Sequence, residues 1–104
     1  MIFLDTHIVV WIYEGLIHKI SKTVQQQLTL RELLISPMVE LELDFLYEIG
    51  RLTVTGSEIV QYLDAHLDLQ VSKTDFHQIV QEARPLNWTH DPFDRLIVAN
   101  ASLL

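Results

Sequence analysis

Three carboxylates, Asp5, Glu42 and Asp94, stand where solvation alone does not account for them. They come from separate segments, and a fourth acid, Asp91, precedes the last of them in the stretch HDPFDRLIVANA. Two carboxylates brought about 4 Å apart repel by about 4 kcal/mol at an effective dielectric near 20. Three in one place hold their protons more tightly or recruit a cation. With oxygen ligands only, the expected ion is Mg²⁺ or Mn²⁺, which keeps several waters and contacts substrate phosphate. A carboxylate cluster with such an ion is the outline of a site that hydrolyses phosphodiesters.

Each acid also has a purely structural reading. Asp5 directly follows an apolar run and can cap a helix beginning at Thr6. Around a helix over residues 38–49, at 100° per residue, Met38, Phe45 and Ile49 share one side with Leu41 and Leu46 flanking, and Glu42 falls inside that stripe. Glu40, Asp44 and Glu48 point to the opposite half, as solvated residues should. A carboxylate on a core-facing stripe is costly unless paired or coordinated, so Glu42 calls for a positive partner, a bound ion or a side chain such as Arg95. Asp91, Pro92, Phe93 and Asp94 read as the cap and first three positions of a helix, with proline preformed for the first turn. That accounts for Asp91. Asp94 projects near Ile97, Val98 and Ala101 in a helix apolar on nearly every side, which places it at the edge of a protected site.

The elements that must position these acids alternate in type. Residues 2–4 read as a buried strand, 6–14 as a helix stopped at Gly15, and Ser21 as the cap of a second helix with Ile20, Val24 and Leu28 four apart. LLIS, 33–36, is a second strand closed by Pro37, and the helix over 38–49 ends at Gly50. Ser57 is expected to cap a helix with Ile59, Tyr62, Leu63, His66 and Leu67 on one face. LQVS, 69–72, is a third strand. Thr74 is expected to cap a helix carrying Phe76, Ile79, Val80 and Ala83 up to Pro85, and the last helix starts at Pro92. Strands alternating with helices predict an α/β fold, a small parallel sheet flanked by helices in one domain spanning residues 1–104.

Composition narrows the function. The 104 residues are 49% hydrophobic and 20% charged, which suits a globular domain. Fourteen acids against seven Lys and Arg give a net charge of −7, unlike a module that coats nucleic acid with a basic face. The basic residues Lys19, Lys22, Arg31, Arg51, Lys73, Arg84 and Arg95 are scattered along the chain. A phosphate substrate must then be met by a bound cation, or by basic residues gathered only in the fold. The chain contains no cysteine, which excludes disulfides, thiolate catalysis and cysteine-ligated zinc. No apolar run approaches the length of a membrane span, and the first residues lack a secretory pattern, so a cytoplasmic location is expected.

The histidines show no helical zinc spacing. His66 is expected as a hydrogen-bonded core residue, and His7 is close enough to Asp5 to border a pocket. His77 and His90 read as loop or flank residues. Trp11, Trp88 and Tyr62 could stack on bases, although Trp11 at helical spacing also suits the core. Arg95 could contact a phosphate, with pairing to an acid the expected role.

FLDTHIVVW, ISPMVELELDFLYEIGRL and DPFDRLIVANA, in that order over essentially the whole chain, resemble PIN-domain ribonucleases, and more narrowly the VapC-type toxins of prokaryotic toxin–antitoxin pairs. The resemblance implies a Mg²⁺- or Mn²⁺-dependent endoribonuclease with an acidic pocket at the strand ends, leaving a 5′-phosphate and a 3′-hydroxyl. It maps the family's metal-binding acids onto Asp5, Glu42 and Asp94, with Asp91 accompanying them and Thr6 as a hydroxyl beside the first acid. It further implies an RNA substrate, an antitoxin partner and a homodimer. Such proteins usually continue into another strand with a further polar or acidic residue and a last helix, so a missing C-terminal strand and helix are expected. That departure leaves an alternative, a PIN-like interaction module with weak or no catalysis.

Overall fold

The computed structural model describes residues 1–104 as a three-stranded parallel sheet with six α-helices. The chain runs β1 (Ile2–Phe3), α1 (Thr6–Glu14), a 3₁₀ turn (Ile17–Lys19), α2 (Lys22–Gln27), β2 (Leu33–Ile35), α3 (Pro37–Glu48), α4 (Gly56–Leu67), β3 (Gln70–Val71), α5 (Phe76–Ala83) and α6 (Pro92–Ser102). Sheet order is β1-β2-β3, with Ile2 opposite Leu33 and Leu34 opposite Gln70. Every strand runs the same way, so all the carboxyl ends lie along one rim, where ligands of open parallel sheets gather. The α/β expectation therefore holds. No helix is long and apolar enough to cross a membrane.

Helix starts follow side-chain capping chemistry. Asp5 accepts from Ile8 N at 3.0 Å, Ser36 from Met38 N at 3.1 Å, and Asp91 from Phe93 N at 2.9 Å. Each of these bonds satisfies a backbone N–H that has no partner within its own helix. Two starts differ from expectation. Thr55, not Ser57, caps α4 by accepting from Glu58 N, and Asp75, not Thr74, caps α5 by accepting from Gln78 N. Thr74 instead shares its hydroxyl with Ser72. In both cases a capping residue lay a position or two earlier or later, and propensity alone does not choose among neighbours. Gly15 and Gly50 adopt the left-handed backbone at φ 75° and 82°, closing α1 and α3.

The core joins Leu4 and Val9 to Leu33 and Ile35 of β2, Val39 and Leu43 of α3, and Ile59 and Leu63 of α4. This corrects the helical wheel of α3. Its buried line is Val39 and Leu43, four apart, while Leu41, Phe45 and Ile49 remain 55%, 43% and 50% exposed. Asp44, expected in solvent, is half-buried and accepts from the backbone N–H of Gly56 at 2.9 Å, joining α3 to the start of α4. A Cβ on Gly56 would lie 2.8 Å from that carboxylate and 3.0 Å from the Glu40 carbonyl, so glycine sets the closeness of the two helices. On α6, Ile97, Ala99 and Asn100 are buried and Asp94 and Val98 are exposed. The helix has one apolar side and is not surrounded. Asn100 is fully enclosed and donates from Nδ2 to Ser72 Oγ at 3.2 Å, anchoring α6 to the end of β3.

Candidate functional site

At the carboxyl rim of the sheet a cleft of about 340 Å³ is lined by Asp5, Thr6, His7, Glu42, Trp88, Asp94, Ile97 and Val98. Each acid reaches it by a local cause. Asp5 follows Leu4, the buried residue just past β1. Glu42 lies in the second turn of α3, the helix that leaves β2 through Ser36. Asp94 lies in the first turn of α6, whose Phe93 ring packs 5.8 Å from Phe45 of α3. The start of α6 is thereby held against the later turns of α3, and their acids look into one space.

Glu42 is half-buried, and its side-chain partner is a hydroxyl. Thr6, 3% exposed, donates its hydroxyl to the Glu42 carboxylate. The expectation of pairing with Arg95 is therefore corrected: a neutral hydroxyl on α1 orients this acid, with about 1.5–3 kcal/mol expected for a hydrogen bond to a charged acceptor. Asp5 is exposed and still accepts from Ile8 N, so capping and cleft lining coexist in one side chain.

Asp94 is the one titratable group whose pKa clearly moves, and it moves up from the usual carboxylate value. Partial desolvation by the cleft walls is the largest cause, although much of the side chain faces solvent. The charge of Asp91 adds to it, His7 opposes it, and Asp5 adds again. Asp91 caps α6 from outside the cleft lining, so its influence here is through charge.

Arg95 does not pair with an acid. Its Nη2 donates to the carbonyls of Ala83 at 3.2 Å and Arg84 at 2.9 Å, tying the end of α5 to α6. It lies outside the acidic cleft. His66 is also corrected: it is exposed, donates from Nδ1 to the Tyr62 carbonyl at 2.8 Å, and stacks on the Tyr62 ring at 4.0 Å. Trp11 is half-buried against the core. His7 and Trp88 do line the cleft. Adjacency to Asp5 hinted at His7, whereas Trp88 comes from an irregular segment with no periodicity to reveal where it would fall.

The donor chemistry of the cleft, three carboxylates and a hydroxyl with the His7 imidazole beside them, suits a hard divalent cation. The spacing is open, however, and no three His, Asp or Glu side chains stand close enough together to enclose one ion. An all-protein cage is therefore not preformed. Mg²⁺ does not require one, because it binds through one or two carboxylates and retains water for a phosphate to displace. The largest cleft, about 600 Å³, opens at the opposite ends of β2 and β3 among Arg31, Glu32, Asp64 and Asp68, with no buried polar group turned toward it. No family model, curated protein or solved structure matches this chain.

Proposed function

We propose that this chain is a Mg²⁺- or Mn²⁺-dependent endoribonuclease of the PIN-domain type, the VapC-like toxin half of a toxin–antitoxin pair acting in the cytoplasm. The observation that carries the reading is the gathering of Asp5, Glu42 and Asp94 into one cleft at the carboxyl rim of a parallel sheet. The pKa of Asp94, raised first by desolvation and then by the charges of Asp91 and Asp5, supports it, since a cation would neutralise that negative charge.

A divalent ion bound there would supply positive charge for the scissile phosphate and lower the pKa of a water molecule. Asp5 and Asp94 would hold it, and Glu42, fixed by Thr6, would orient the attacking water. The water oxygen bonds to phosphorus as the bond to the 3′ oxygen breaks, leaving a 5′-phosphate and a 3′-hydroxyl. His7 and Trp88 border the approach.

Addition of millimolar Mg²⁺ or Mn²⁺ should raise the melting temperature, since an ion at 100 times its dissociation constant contributes about 2.7 kcal/mol. Glu42→Gln should abolish RNA cleavage while the fold persists. A melt indifferent to both ions would remove the metal site, and undiminished cleavage by the variant would remove Glu42 from the chemistry.

The second reading is a PIN-like interaction module without catalysis. The open spacing of the acids favours it, as does the exposed row Leu41, Phe45 and Ile49 on α3, a surface suited to an antitoxin-like partner or a second copy in a homodimer. A fold-intact chain that self-associates and cleaves no RNA with either ion would establish that reading over the first.

A further inference from the structure

The sequence scatters its seven Lys and Arg residues, yet the fold brings two of them together. A second cleft, of about 330 Å³, is lined by Val80, Ala83, Arg84, His90, Pro92, Arg95 and Leu96. It contains no acid. In a chain of net charge −7 this is a local reversal of sign.

Its position relative to the acidic cleft follows from α6. Asp94, Ile97 and Val98 face the acids, whereas Pro92, Arg95 and Leu96 face the basic cleft. Asp94 and Arg95 are consecutive, so their side chains leave the helix about 100° apart and serve adjacent spaces. The connection from α5 to α6 borders both, since Trp88 lines the first and His90 the second. Trp88 is 63% exposed, leaving much of its ring open to a stacking partner.

Arg95 is held in place. Only its Nη2 is engaged, by the Ala83 and Arg84 carbonyls, so the N–H groups of Nε and Nη1 remain to meet an anion. Arg84 is exposed and uses Nη1 on Gln81. A guanidinium anchored before the ligand arrives loses less freedom on binding, and its planar fork matches phosphate.

We propose that Arg84, His90 and Arg95 form a subsite for a backbone phosphate of single-stranded RNA, next to the phosphodiester that the acidic cleft would receive, with Trp88 stacking a base between them. This rests on the ribonuclease reading for the direction of the strand, but the anion contact itself does not need cleavage. The arrangement resolves a conflict of charge: the acids repel an RNA strand, and the neighbouring basic cleft holds it.

The test is binding of a fluorescein-labelled single-stranded RNA dodecamer to the full chain in EDTA, across a salt series. Each phosphate contact on a single strand contributes about 0.7 to the slope of log affinity against log salt. Arg84→Gln should weaken binding several-fold and lower that slope by about 0.7, while Arg84→Lys restores most of the slope. Trp88→Ala should weaken binding with the slope unchanged. Wild-type affinity and slope in Arg84→Gln, or no RNA binding at all by the native chain, would overturn the subsite. Loss of cleavage in Glu42→Gln alongside an unaffected Arg84→Gln would overturn it and leave the nuclease reading standing. Arg84-dependent binding by a chain that cleaves nothing would do the reverse.

Discussion

The Thr6 hydroxyl donates to the Glu42 carboxylate, so a buried residue in the first turn of α1 fixes an acid on α3. Thr6→Val keeps the shape of the side chain and removes the donor. If the bond's value of about 1.5–3 kcal/mol is spent on positioning, single-turnover RNA cleavage should fall by about one to two orders of magnitude. Urea unfolding should show a native-like slope, and an undiminished rate in a folded variant would assign Thr6 to packing alone.

Asp94 binds its proton more tightly in the folded chain than in the unfolded one. Between the two pKa values the folded state therefore carries more protons, and stability falls as pH rises through that window. The deficit persists at higher pH. Asp94→Asn should consequently melt at a higher temperature than the native chain near neutral pH, with the gain vanishing below pH 3.8. Added Mg²⁺ should narrow the difference by stabilising the native chain more. A variant less stable than the native chain at neutral pH would contradict this.

Gly56 accepts no side chain without displacement, because a Cβ would meet Asp44 Oδ1 at 2.8 Å and Leu43 Cβ at 3.0 Å. Gly56→Ala should lower the urea midpoint by an amount equivalent to about 1–3 kcal/mol, with little change in slope. Gly56 abuts Leu43 and Asp44 of the helix that carries Glu42, so on the ribonuclease proposal loss of cleavage in this variant would indicate that α3 has shifted.

Asn100 is enclosed at the junction of α6 and β3, with Nδ2 bonded to Ser72 and Oδ1 without a partner. Asn100→Ala should cost about 1–3 kcal/mol in chemical denaturation, combining a lost hydrogen bond with a small void. Asn100→Asp should cost more at neutral pH, where the chain would have to bury a charge, and should recover in acid. Equal stability of the two variants at neutral pH would contradict a dry, enclosed site.

Much of the frame was legible because it rests on local chemistry. Asp5, Ser21 and Asp91 were each expected as helix caps and each accepts the bond that role requires. The packing was less legible. The face of α3 was assigned from the density of apolar residues, which favoured Phe45 and Ile49, whereas the sheet and α4 take the thinner line of Val39 and Leu43. Glu42 consequently borders the core without lying within it. Arg95 and His66 were misread for a related reason. Their partners are backbone carbonyls, and no pattern of side-chain types marks where a free carbonyl will stand. The basic cleft was invisible for a third reason, since Arg84 and Arg95 meet only when α5 folds back against α6.

The parallel sheet has a consequence for synthesis. No strand can find its neighbour through a hairpin, and β1 must wait for β2, just as β2 must wait for β3, each across intervening helices. A ribosome-bound amino-terminal portion exposes Asp5 and Glu42 without Asp94 beside them, because α6 is translated after both. The pocket is complete only when α6 docks, so on the ribonuclease proposal a chain still lacking that helix could not yet act on RNA.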